Sequence, residues 1–189
     1  MSPILGVIAS SKPGIALWEP QGAYDALSTV TVPAGGVASI AFANIPTGYK
    51  HLQIRGIAKN TLSNTYTANF YIRFNGDSAT NYNAHALYGT GASAVVNIPS
   101  GANPVFAIWG LSGSSQFAAH IVDILDYSNV TKFKTVKHLM GTDTNGAGYI
   151  GLESGAWRST SAINSITISI GDGSQTIAQH SQFTLYGVR

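Results

Sequence analysis

Five histidines, eight carboxylates and abundant serine are the side chains with which this chain could do chemistry. The histidines are His51, His85, His120, His138 and His180, and the nearest two, His120 and His138, lie 18 residues apart. No H-x-H or H-x-x-x-H pair sets two imidazoles on one element, so a metal site would have to be assembled wholly by the fold. Satisfied or solvated histidines are the simpler expectation, and no metal or cofactor is expected. Asp123 and Asp126, in HIVDILDY, are the most concentrated acids. Two glycosidase carboxylates must converge on one bond, within about 5–10 Å. Positions three apart on a strand face opposite ways, so this pair is not expected to converge, and Asp126 reads as a turn end, followed by Tyr127–Asn129. Asp25, Asp77, Asp143, Glu153 and Asp172 lie mostly beside Gly or Asn, which points to turn chemistry.

Nucleophilic and phosphate-binding patterns fail on context. No G-x-S-x-G elbow occurs, and Gly110-Leu111-Ser112-Gly113 has its closing glycine one place early and no helix behind it. The glycine-rich stretches carry no G-K-[ST], and Gly146–Gly151 lacks the strand-to-helix geometry of a nucleotide loop. Lys132, Phe133, Lys134 and Lys137 form the one basic cluster. Lys132 and Lys134 would share a strand face, as a solvated or edge-protecting set. Asn129-Val130-Thr131 matches a glycosylation sequon, which has meaning only on a eukaryotic secretory route. Three Trp and nine Tyr could line a sugar groove, but core and interface packing is the expected use.

The elements that must hold these residues are strands. Ile40 and Phe42 alternate with Ser39 and Ala41; Leu52 and Ile54 with His51, Gln53 and Arg55; Phe70, Ile72 and Phe74 with Asn69, Tyr71 and Arg73; Ile166, Ile168 and Ile170 with Ser165, Thr167 and Ser169. A period of two writes one buried and one exposed sheet face. Phe117–Leu125 (FAAHIVDIL) and Phe183–Val188 (FTLYGV) are apolar on both faces, which suits a sheet centre or an oligomer axis. Turn signals at Pro33–Gly36, Pro46–Gly48, Asn75–Asp77, Thr90–Ala92, Ser112–Ser115, Asn145–Gly148 and Gly171–Ser174 separate the runs. Nine to eleven short strands follow, with at most a single helical turn at Ala79–Leu87 or Ser128–Phe133. No repeat of fixed period argues for a propeller or solenoid. The expected fold is all-β, an antiparallel β-sandwich of jelly-roll type over Asp25–Arg189.

Met1–Tyr24 differs. Pro3, Pro13 and Pro20, with Gly6, Gly14 and Gly22, prevent a helix, because proline removes a backbone donor and restricts its predecessor. Ile4, Leu5, Val7, Ile8, Ile15, Leu17 and Trp18 are nevertheless too apolar for a solvated tail. An extended attachment arm is expected, with Ile4, Leu5, Val7, Ile8, Leu17 and Trp18 as its partner-binding residues, docked on another subunit in preference to its own domain.

Composition narrows the partners. The 189 residues suit one domain, and charged residues make up 10% against a usual ~25%, their place taken by Ser, Thr, Asn, Ala and 21 Gly. Such a surface can be covered by neighbours without stranding ions. Ten Lys and Arg against eight Asp and Glu are too few and too scattered for a nucleic-acid footprint. The apolar run Ile4–Ala9 is too short to span a membrane and lacks the basic flank of a signal peptide, so no membrane association or export is expected. Cysteine is absent, so disulfides and thiolate sites are excluded.

Five segments carry a resemblance: PILGVIASS at the start, IPTGYKHLQIRGIA (Ile45–Ala58), FYIRFNGDSATNYNAHALYG (Phe70–Gly89), VDILDYSNVTKFKTVKHLMG (Val122–Gly141) and the closing SQFTLYGVR. In order and at similar spacing over most of the chain, they resemble a family of tailed-bacteriophage virion proteins. The resemblance implies a minor structural component with a jelly-roll-like sandwich that often trimerises, used as a capsid decoration ("cement") protein or in tail fibres and spikes. It brings no catalytic residues. The resulting expectation is a non-enzymatic, homotrimeric capsid decoration protein, assembled into the virion in the host cytoplasm. Its partners are its own copies and the major capsid protein or other virion subunits. The alternative is a receptor-binding module of a tail fibre or tip, with Tyr66, Tyr71, Tyr82, Tyr88 or Trp157 near a host glycan. A glycan-degrading enzyme stands third, for want of two converging acids.

Overall fold

Period-two alternation becomes strand pairing throughout the residues that the computed structural model describes, which are 22–61, 68–97, 103, 106–111, 116–143, 148–170 and 175–189. Twelve strands lie among them: β1 Tyr24–Thr31, β2 Ser39–Phe42, β3 His51–Ala58, β4 Ala68–Phe74, β5 Tyr82–Gly89, β6 Ala94–Asn97, β7 Phe106–Leu111, β8 Ala118–Leu125, β9 Lys134–Asp143, β10 Gly148–Trp157, β11 Ile166–Ile170 and β12 Gln182–Val188. That is one strand beyond the expected range. The single helical turn expected at Ala79–Leu87 is instead mostly β5, where Tyr82, Ala84 and Ala86 alternate inward. Ser128–Phe133 is turn and bend, ordered by the Asn129 side chain, which accepts from the Thr131 and Lys132 amides at 2.8 and 3.2 Å.

Every pairing is antiparallel. One sheet of eight strands runs β1-β12-β3-β8-β9-β10-β5-β6, and one of four runs β2-β11-β4-β7. The four alternating runs read from sequence all turn their aliphatic and aromatic side chains inward, and these meet in a common core: Ile40, Phe42, Phe70, Ile72, Phe74, Ile166 and Ile168 from the small sheet; Leu52, Ile54, Val122, Ile124, Trp157 and Phe183 from the large one. Phe70 sets its ring edge-on to Phe183 at 5.5 Å, and Phe74 reaches Trp157 at 5.6 Å, so the two sheets face one another as an antiparallel β-sandwich. Burying each such side chain contributes about 1.5–3 kcal/mol.

One turn ties the sheets together. Asn75 (φ 53°) and Gly76 (φ 69°) reverse the chain after β4, with the Asp77 amide donating to the Phe74 carbonyl at 2.9 Å. The Asn75 amide group then grips the segment before β11, donating to the Ala162 carbonyl at 2.8 Å and accepting from the Asn164 and Ser165 amides at 2.9 and 3.2 Å. Asp77 accepts from the Trp157 indole at 2.7 Å and from Asn81 at 2.8 Å, which hold its carboxyl below the ordinary carboxylate range. Here the turn expected at Asn75–Asp77 is also a clamp between layers.

Candidate interaction surface

The strand register assembles a feature that no single run displays. On the large sheet, inward residues alternate with residues facing away from the core. Val96 pairs with Leu87, Leu87 with Leu152, Leu152 with Leu139, and Leu139 with Ile121. Opposite residues in antiparallel strands share a face. A straight row of five large aliphatics therefore crosses β6, β5, β10, β9 and β8 on the outer face. Each is 38–69% exposed. The next row on that face holds Ile150 and Ile57, also exposed, with Gly141 and Ala119 in register between them. Single exposed leucines are ordinary; seven large aliphatics on one sheet face form a patch of the kind that marks a contact surface.

A polar row flanks the aliphatic one. Gln53 donates to Asp123 at 2.7 Å, Lys137 approaches the same carboxylate at 3.9 Å, and Arg55 donates to Gln53 at 2.6 Å. The Arg55 guanidinium lies over the rings of Tyr24 and Tyr186, 4.9 and 5.2 Å from their centres. Asp123 thus works in a surface network, while Asp126 begins the turn after β8 in the left-handed region (φ 50°), pairs through its carboxylate with Lys132 and donates its amide to His51 Nδ1 at 3.0 Å. The two acids thus have different partners. Contact with Lys132 holds the Asp126 carboxyl below its ordinary range.

On the inner face, β8–β10 bury a different group. His138 sits directly across from Glu153, and His120 lies on the same face of the neighbouring strand. His138 Nδ1 is 2.6 Å from a Glu153 carboxylate oxygen, and His138 Nε2 is 3.1 Å from His120 Nδ1, with the two imidazoles stacked. All three residues are at most 2% exposed. The Glu153 contact would favour an imidazolium, but burial opposes any charge and prevails. It holds His138 down to about 3 and His120 well below 6.5. Neutral His138 then donates from Nδ1 to Glu153 and accepts at Nε2 from His120. His120 Nε2 is left without a partner, edge-on to Phe70. The chain of three thus ends inside the core, at His120 Nε2. Among the described residues no cluster of three or more His, Asp or Glu is arranged to hold a metal ion.

Several expectations need correction. Glu153, read as a turn acid, is a buried mid-strand residue of β10, because the glycines around it lie within the strand. Lys134 does not share a solvated face with Lys132. Its side chain is buried at the start of β9, with its ammonium donating to the Lys132 and Thr160 carbonyls at 3.0 and 3.2 Å, while Lys132 precedes the strand. Desolvation lowers the Lys134 pKa. Tyr82 and Trp157, considered for glycan contact, stack in the core. Tyr88 packs on Tyr149 near a cleft of about 360 Å³ lined by Thr90, Thr142, Asp143 and Tyr149; Tyr66 lies outside the described residues. The arm residues Ile4, Leu5, Val7, Ile8, Leu17 and Trp18 also lie outside them. Tyr24, given to the arm, opens β1 and pairs with Val188.

No family model and no curated protein matches the chain. Among solved structures, it is similar to a crystal structure of a protein of unknown function from Shewanella oneidensis MR-1, at 12% identity and a TM-score of 0.24, over 88% of this chain and 76% of that one. A likeness that weak carries no argument about fold or role.

Proposed function

We propose that this chain is a non-enzymatic structural subunit of a bacteriophage virion, acting as a capsid decoration protein that stabilises the head by binding across capsomers. The observation that carries it is the aliphatic outer face of the large sheet, a surface suited to a subunit covered in its working state. Low charge over the whole chain agrees, since few ions would be stranded on assembly. The acids singled out from sequence are engaged in surface contacts with lysines or, for Glu153, sealed in the core.

The strand orders support a jelly-roll description. With β1 and β12 set aside and the meander β8–β10 counted as one strand, the rest number one to eight along the chain. The small sheet then runs 1-8-3-6 and the large one 2-7-4-5, the arrangement of a jelly roll. On this reading the segment before β1 is the attachment arm, and the subunit's partners are its own copies and the major capsid protein. Binding only to the assembled shell stabilises it by mass action.

Quantitative mass spectrometry of purified phage particles tests the assignment. Hundreds of copies per particle support decoration, a handful moves the protein to the tail, and none sinks the virion role. Deleting residues 1–20 should leave a folded domain that no longer occupies shells; full occupancy by the truncated protein would overturn the arm. The second reading, a receptor-binding module of a tail fibre or tip, is favoured by the cleft beside the Tyr88–Tyr149 pair, where an aromatic ring and hydroxyls could seat a sugar. Saturable host-glycan binding lost on Tyr149→Ala would favour it.

A further inference from the structure

We infer that the occupant of the large sheet's outer face is a second copy of this chain. This rests on the assembly reading above and names the partner of that surface.

The face carries both a projection and a place to receive it. Ile150 projects from β10 at 65% exposure, with Gly89 and Gly141 directly across on its two neighbouring strands. Beyond Gly141 come Ala119 and then Ile57, so two small residues form a socket between two isoleucine knobs. The socket is open, since a Cβ on Gly141 would meet nothing nearer than the Tyr149 carbonyl oxygen, at 4.0 Å. An isoleucine of one copy fits the depression of another, as neighbouring sheets interdigitate at about 10 Å separation. Beside it the outer face holds a groove of about 290 Å³ at Leu87, Val96 and Leu152, which can take an aliphatic side chain from the facing row.

Charge and area agree. The charged side chains on the part of this face from β8 to β6 include Lys137 and Asp123, which offset one another at 3.9 Å, while Arg55 is held over two tyrosine rings at its border. Identical faces can therefore meet without strong like-charge repulsion, whereas a highly charged partner would find little to pair with. Five strand spacings from β3 to β6 span about 24 Å and eight residues span about 27 Å, giving a plane of roughly 650 Å² before side-chain relief. A standard interface takes about 800 Å² per partner. The face alone nearly supplies that.

The test uses the full chain in sedimentation and cross-linking. The wild type should be multimeric at micromolar concentration. Gly141→Val, which fills the socket, and Ile150→Ala, which removes the knob, should each weaken association at least ten-fold while retaining the wild-type melting transition. Because the chain has no cysteine, Leu152→Cys gives a clean probe and should form an intermolecular disulfide on mild oxidation. A wild type that sediments as a single chain overturns the inference. So does a multimer unaffected by both substitutions. Copy number on particles is counted separately, so a monomer that still decorates shells would overturn this contact and leave the virion role standing.

Discussion

Acidification should destabilise this protein in a window set by two buried imidazoles. His138 and His120 are neutral in the folded chain, held there by burial, while in the unfolded chain each takes up a proton below its ordinary value of 6.5. Above that pH both states are neutral and the pair contributes nothing to the pH dependence. Below it the unfolded state binds more protons, so folding stability falls with pH, by about 1.4 kcal/mol per unit for each histidine. With His138 held at about 3, the loss at pH 5 is about 2 kcal/mol from that residue. His120, held down by burial and by the neighbouring His138, adds a loss in the same direction, and the ~2 kcal/mol from His138 alone is a sizeable part of the ~5–15 kcal/mol that stabilises a domain. Asp25, Asp77 and Asp126 have lowered carboxyls, whose loss of stability belongs nearer their ordinary 3.8, below the window in which the imidazoles act. Urea unfolding at pH 7.5 and 5 measures the difference. His120→Phe, beside Phe70, should reduce the slope, whatever it does to stability at pH 7.5. Stability that is flat or rising on acidification, or a slope unchanged in the variant, would refute neutral burial of the pair.

Two substitutions test the packing that positions the outer face. Gly56→Ala would place a Cβ 2.4 Å from the Phe183 ring, which is wedged against Phe70, and should cost about 1–3 kcal/mol in urea unfolding. A neutral result would mean that the inner face of β3 is looser than its contacts imply. Asn75→Ala removes three hydrogen bonds at a positive-φ position and should lower stability by about 2 kcal/mol or more, with Asn75→Gly recovering only the part due to backbone strain. Equal losses in the two variants would assign the whole effect to the side-chain clamp.

The inward faces were legible because aliphatic and aromatic residues alternate with polar ones within each run, as in Phe70, Ile72 and Phe74. The candidate surface was not. Its aliphatics stand singly at outward positions of five different strands, and only the register of β6, β5, β10, β9 and β8 joins them. The one hint lay in FAAHIVDIL, whose apolar residues on both faces leave Ile121 and Leu125 outward while His120 and Val122 turn in. The buried Glu153–His138–His120 group was hidden by sequence distance and by the glycines near Glu153. A lysine pair spaced by one residue suggested a common face, but the strand begins only at Lys134, and two carbonyls near its ammonium allow its burial.

Side-chain labelling by hydroxyl radicals addresses the aliphatic face most directly. Full-length chain diluted until it sediments as a monomer and chain in the assembled particle would be oxidised in parallel, and labelling read at Ile121, Leu139, Ile150 and Leu152. A structural subunit with that face covered shows strong labelling when free and protection at all four residues after assembly. Equal labelling in both states would contradict a covered face and, with it, the observation on which the assembly role stands.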